Sequence, residues 1–259
     1  MLLENKVAVV TGVGPGMGRS IVHLFAREGA SLALGARNAE RLQTIAREAE
    51  AVGRPVIAMP TDHTDRDSGR RLVHAAVDRF GGIDILVQNG ADIGDFVAAA
   101  DADPDRWREI MEANFFGALH LVQAVVPSMK QRGEGRIIFI NSGAGIDPAP
   151  LFGGYGASKA ALASLVRSLA TELGPFGIRA NGVHLGPVNE DHYQRWAEDE
   201  ARKAGTSVEQ WTKQFVTIFP LRYVPPPDEC AGTVLFLASD LSRPITGQAI
   251  CVNAGRFGT

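Results

Sequence analysis

The chain has 259 residues, enough for one large α/β domain or two small ones, and long enough to bury an apolar core without cross-links. Its formal net charge of -3 supplies no basic field for nucleic acid or an anionic membrane. The two cysteines, Cys230 and Cys251, and the six histidines fall in no ligand spacing, so a metal site is not expected and a reduced, cytoplasmic setting is.

The N-terminal residues Met1 to Lys6 lead into a short apolar run unlike a signal peptide. No apolar stretch approaches the ~20 residues that cross a bilayer. Short β-branched runs then alternate with helical patterns. Val7–Val10 reads as a buried strand ending at Thr11-Gly12, and Gly18–Glu28 as a helix closed by Gly29. Ser31–Leu34 is a second strand and Arg41–Val52 a second helix. Val56–Met59 is a third strand, and Arg70–Phe80 a helix stopped by Gly81-Gly82. Ile83–Val87 is the fourth strand. A long helix runs from Pro104 to about Gln131, with Pro127 expected to kink its end. Ile137–Ile140, Arg179–His184 and Gln248–Val252 complete the strands, and Ala157–Leu173 and Asp228–Ala238 the helices. This alternation predicts an α/β fold: a doubly wound parallel sheet of about seven strands, helices on both faces, in a single domain over 1–259. The stretch 189–227, with Trp196, Trp211, Phe215 and Phe219, breaks the rhythm and reads as a partly helical insertion over the carboxyl edge of the sheet.

The first strand runs into Thr11-Gly12-Val13-Gly14-Pro15-Gly16-Met17-Gly18 and then a helix. Glycines there let the backbone turn and approach a pyrophosphate, while the helix N-terminus offers free N–H donors to the anion. The second strand ends Ala36-Arg37. An acidic residue at that place would take the ribose hydroxyls of NAD, whereas an arginine suits the 2′-phosphate of NADP, so NADP(H) is favoured and NAD(H) remains open. Tyr155 and Lys159 are four residues apart, on one helix face. An ammonium beside a phenol favours the phenolate, making the pair a candidate acid/base at an alcohol oxygen. Ser142 follows strand five at the carboxyl edge, thirteen residues before Tyr155. Asn114 lies inside the long helix, where asparagine is a poor helix former.

Together these motifs resemble the short-chain dehydrogenase/reductase family in its form of about this length. The match comprises the glycine pattern at 11–18, Asp62 after strand three, Asn89-Gly90-Ala91 after strand four, Asn114, Ser142, Tyr155 with Lys159, and Asn181 with Gly186-Pro187 after strand six. It spans nearly the whole chain, in order. The resemblance implies a Rossmann-like fold and a nicotinamide-dependent oxidoreductase that interconverts a secondary alcohol and a ketone, as a homodimer or homotetramer. It implies that Tyr155 is the acid/base, that Lys159 lowers its pKa and holds the nicotinamide ribose, that Ser142 donates to the substrate oxygen, and that Asn114 holds a water in a proton relay. Gly12, Gly14, Gly16, Met17, Gly18, Arg37, Asp62, His63, Asn89, Gly90, Ala91, Gly186 and Val188 would line the cofactor with Tyr155 and Lys159.

The sequence departs from the family at several places. Gln88-Asn89-Gly90-Ala91 stands for the usual Asn-Asn-Ala-Gly, Leu185-Gly186 for Pro-Gly, and Glu190 lies near where a threonine commonly caps the nicotinamide carboxamide. Ser142, Ile146, Pro148, Leu151, Phe152, Tyr193 and Trp196 are expected to line a mostly apolar substrate pocket. Two rival functions are a 3-oxoacyl-carrier-protein reductase, docking its carrier through Lys130 and Arg132, and a non-catalytic NADP-binding protein. Leu119, Leu121, Val122 and Val125, with Ala161, Leu165 and Leu169, form stripes that serve either core burial or subunit pairing.

Overall fold

A computed structural model describes residues 1–147 and 149–257. Seven strands lie in one parallel sheet of order β3-β2-β1-β4-β5-β6-β7. They are β1 (Val7–Thr11), β2 (Ser31–Ala36), β3 (Val56–Pro60), β4 (Ile85–Gln88), β5 (Gly135–Ser142), β6 (Ile178–Leu185) and β7 (Ala249–Val252). The order reverses direction beside β1, between β2 and β4, so a crevice opens outside their carboxyl ends. The central strands are buried on both faces and read as continuous apolar runs for that reason.

Helices cover both faces. On one side pack α1 (Met17–Arg27), α2 (Ala39–Glu50) and α9 (Pro227–Ala238), with Ile21, Phe25, Leu42 and Val234 fully buried. On the other lie α3 (Arg66–Phe80), α5 (Gly117–Arg132) and α6 (Gly153–Leu173), through Leu72, Leu121, Val125 and Leu162. Asn38 and Asp65 cap α2 and α3 by accepting from the N–H groups of Arg41 and Asp67, which starts both helices earlier than their apolar periodicity suggests.

The long helix is continuous from Pro104 to Arg132 but has a break in register. It comprises α4 (Pro104–Met111), a π-helical turn at Glu112–Phe116, and α5. Pro127 sits within α5 and does not end it. By length and mean hydropathy this helix could cross a membrane, contrary to the expectation that no stretch comes close. Here Ala118, Leu121, Val122, Val125 and Met129 are buried in the second core, so the apolar content serves the sheet. The same burial assigns Leu121, Val122, Val125 and Leu169 to the core, leaving Leu119, Ala161 and Leu165 half-buried.

The insertion folds as two helices, α7 (Asp191–Lys203) and α8 (Val208–Phe215), followed by a turn. It carries its own small apolar cluster of Tyr193, Ala197, Phe219, Val224 and Ala254.

Candidate active site

The glycine loop joins β1 to α1. Gly12 has φ +71, and a Cβ there would overlap the backbone of Gly90, so only glycine lets β1 and the β4 loop approach this closely. Asn89 ties the two together, its Nδ2 donating to the Gly12 carbonyl at 2.7 Å. Val13, Met17 and Val188 are buried in one apolar cluster beneath. The cradle accepts an anion: the Glu190 carboxylate accepts the Met17 N–H at 3.1 Å, and its Oε2 lies where a Cβ on Gly16 would be. The Met17 N–H at the start of α1 thus takes an anionic oxygen, as such helix-terminal donors also do with phosphate.

Arg37 is exposed just beyond β2, close enough to Asp62, His63 and Asp92 to act on their ionisation. Burial works against the Asp62 carboxylate, but bonds from the Thr64 hydroxyl and amide outweigh it and hold its pKa below the ordinary value. His63 fills the space between two glycines. A Cβ on Gly90 would come 2.6 Å from its ring, and one on Gly117 would overlap it. Its Nε2 donates to the Ala113 carbonyl at 3.0 Å. This packing gives a reason for Gly90 where the family usually has alanine. Gly186 is held against Asn253 at the end of β7, and Ala91 is exposed.

Tyr155 and Lys159 both lie on α6, which begins at Gly153 and not at Ala157. Trp107 of α4 packs on Gly153 and Gly154, where added Cβ atoms would lie 2.8 and 3.0 Å from its ring. That contact overrides the low helix propensity of the glycine pair. Lys159 is buried and donates to the Ile140 carbonyl at 2.9 Å, with its ammonium 5.6 Å from the centre of the Tyr155 ring. Burial brings its pKa down to about 8. Burial also pushes the Tyr155 phenol up, opposed by a bond with Ser142. The phenol is therefore shifted up, not down as the pair alone suggests: desolvation of the ring is the larger cause, and Ser142 is the one that opposes it.

Ser142 accepts from the Ala144 N–H at 3.2 Å, leaving its own proton to donate. Asn114 is fully buried in the π turn. Its Oδ1 accepts from the Asp92 N–H at 2.7 Å, and its Nδ2 donates to the Asp92 carbonyl and the Ser158 hydroxyl, each at 2.8 Å. Ser158 in turn donates to the Tyr155 carbonyl at 2.7 Å. Asn114 thus ties the β4 loop to the helix that carries Tyr155 and Lys159, with its side chain committed to protein partners.

Of the expected substrate-pocket residues, Phe152 lies beside Tyr155, ring centres 6.2 Å apart. Ile146 and Leu151 are exposed nearby in the chain, and Pro148 falls outside the described residues. Tyr193 and Trp196 belong elsewhere. They pack with Trp211, Phe215 and Phe219 within the 189–227 insertion (the lid), Tyr193 to Trp196 at 5.9 Å and Trp196 to Trp211 at 4.9 Å, with Trp196 still partly open to solvent. An insertion this short has to bury its own aromatics to hold together. Two aromatic rings near Phe152 and Ser142 escaped the sequence reading. Phe96 packs on Phe152 at 4.8 Å, and the Phe257 ring covers Gly143, beside Ser142. Neither carries a motif; each is the lone aromatic of its loop, and nothing in the sequence marks it. Lys130 lies over the Phe176 ring at 3.9 Å and Arg132 pairs with buried Asp84 at 3.0 Å, so both cations suggested for carrier docking have internal partners.

The chain is similar to known proteins over nearly its whole length. The family described as short chain dehydrogenase matches residues 6–201. L-rhamnose 1-dehydrogenase (NAD(P)(+)) of Azotobacter vinelandii is 35% identical, covering 99% of this chain and 98% of its own. The 3-oxoacyl-acyl-carrier-protein reductase FabG of Thermotoga maritima is 33% identical over 98% of this chain and 99% of its own. The crystal structure of an NAD+-bound xylitol dehydrogenase superposes with a TM-score of 0.89 at 29% identity, over 97% of this chain and 99% of that one.

Proposed function

The chain belongs to the short-chain dehydrogenase family and is an NAD(P)-dependent oxidoreductase acting on CH–OH groups; from that premise we propose that Tyr155, Ser142, Lys159 and Asn114 carry the interconversion of a small, largely apolar secondary alcohol and its ketone. The observation that carries this reading is the convergence of two hydroxyls and a buried ammonium beside a cradle that already accepts an anion. NAD(P) supplies or takes up the hydride at the carbinol carbon. Tyr155 gives its proton to the carbonyl oxygen, as a protonated phenol can, and takes it back in the reverse direction. Ser142 donates to the same oxygen and holds it in place. Lys159 offsets the charge left on the phenolate, and Asn114 fixes the helix turn on which Tyr155 stands.

The N–H groups at the start of α1 are suited to the pyrophosphate, Asp62 and His63 to the adenine end, and Asn89, Gly90, Ala91, Gly186 and Val188 to the flank of the cofactor. Exposed Arg37 suits a 2′-phosphate and favours NADP(H) over NAD(H). Phe96, Phe152 and Phe257 favour an apolar substrate over a small charged one. A cytoplasmic homodimer or homotetramer accords with the reduced cysteines and with the family resemblance.

Titration with NADP(H) and NAD(H), then a screen of ketones and alcohols with the preferred cofactor, tests the whole reading. Arg37→Asp shifts the ratio of the two affinities toward NAD(H) by about tenfold or more, the size of a lost charge-assisted bond. An unchanged ratio removes the basis for NADP(H). Preference for small charged alcohols, or for carrier-linked over free ketones, rejects the substrate class.

A further inference from the structure

Glu190 is the N-cap residue of α7, yet its side chain serves a different helix. Its carboxylate accepts the Met17 N–H at the start of α1, and its Oε2 fills the place above Gly16. A Cβ on Gly14, by contrast, would meet nothing within 4 Å, so the cradle is open on that side and closed on the Glu190 side. Burial raises the pKa of Glu190, against the lowering effect of the Met17 N–H, so the carboxylate gives up hydration to sit there. A carboxylate and a phosphate oxygen carry the same sign of charge and seek the same donors. Both cannot hold the Met17 N–H at once.

We propose that Glu190 sets the affinity for the cofactor: its carboxylate occupies the position of a cofactor phosphate, so dinucleotide binding must expel it and disturb the start of the lid. The proposal rests on the glycine loop being the dinucleotide site. The cost of expulsion is charged against every phosphate-bearing ligand, as a fraction of chains in the competent state. Adenosine, which reaches the adenine end without a pyrophosphate, is exempt. The coupling is local: Asn189 is anchored by its N–H to the Pro225 carbonyl at 2.9 Å, and α7 begins directly after Glu190.

Calorimetric titration of the full chain with ADP, NADP, NAD and adenosine tests this, using Glu190→Gln, which removes the charge, and Glu190→Ala, which removes the acceptor as well. Both variants bind ADP and the dinucleotides about tenfold more tightly than the parent chain, while adenosine binding is unchanged. Thermal melting gives a second reading. Without nucleotide the variants melt no higher than the parent, because α1 has lost its capping anion, and saturating ADP raises their melting temperature by more than it raises the parent's. Equal or weaker ADP binding in the variants, or equal tightening for adenosine, overturns the role of Glu190 alone. If neither parent nor variants bind ADP or either dinucleotide, the dinucleotide site itself is misassigned and both readings fall.

Discussion

The half of the molecule on β1 to β3 and the half that closes over β5 to β7 build their ligand surfaces from different material. The first is backbone: a glycine turn, a helix N-terminus, and a strand end, held by Asn89 and by His63 wedged between glycines. The second is side chain: two hydroxyls, a buried ammonium and a wall of aromatic rings. Backbone surfaces tolerate little change in the atoms behind them, because a single Cβ fills them. Side-chain surfaces can be rewritten residue by residue, which is how one fold serves many substrates.

The sharpest way to separate the halves is at the hydroxyl. Tyr155→Phe lowers kcat by about a thousandfold, within the range for removing a positioned acid, while the affinity for NAD(P) changes less than about twofold. Retained turnover would dismiss Tyr155 as the acid/base, and turnover lost together with nucleotide affinity would mean that the two halves are not independent.

The second effect is in stability against pH. Lys159 falls from 10.5 to about 8 on burial. Between those values the unfolded chain holds a proton that the folded chain does not, so stability rises with pH across this window, by up to about 3 kcal/mol. Tyr155 acts oppositely above its ordinary value of 10.0, because its raised pKa keeps a proton in the folded chain that the unfolded chain loses, and stability falls there. Urea denaturation of Lys159→Met from neutral pH to about 9.5 should show the first rise abolished. A rise of equal size in the variant assigns it to another group.

The smallest effect distinguishes the pocket from the lid. Phe152→Ala raises KM several-fold with stability lowered by about 1 kcal/mol or less, since its ring is half-buried beside Tyr155. Trp196→Ala lowers stability by about 1 to 2 kcal/mol through the lost aromatic cluster and leaves KM nearly unchanged. Steady-state kinetics with chemical denaturation of both variants checks the pair; the reverse pattern returns Trp196 to the pocket.

The backbone half was legible in the sequence because its requirements are local. A strand, a glycine run and a helix within twelve residues already imply the cradle, and the arginine after β2 has a fixed place beside it. Tyr155, Lys159 and Ser142 were legible through spacing and the sheet edge. What escaped depended on distant packing. The helix read from Ala157 starts at Gly153, because Trp107 covers the glycine pair. Tyr193 and Trp196 carry the composition of a pocket wall but satisfy one another inside the lid. Glu190 looks like a missing threonine, and no pattern within α7 says that its carboxylate reaches α1. The depressed phenol was read from a pair interaction alone, and burial, a property of the whole fold, reversed the direction.

The π turn at Glu112–Phe116 has an effect beyond Asn114. Such a turn accommodates one residue more than an α-helix would, so α4 and α5 are out of phase by about 100° around their common axis. Trp107 meets the glycine pair of α6 at that angular setting. Deleting a single residue from this stretch would restore regular hydrogen bonding and swing the indole away, and the segment bearing the phenol would lose its lateral support. Beside the identity of Asn114, the number of residues in this stretch is what the molecule cannot vary.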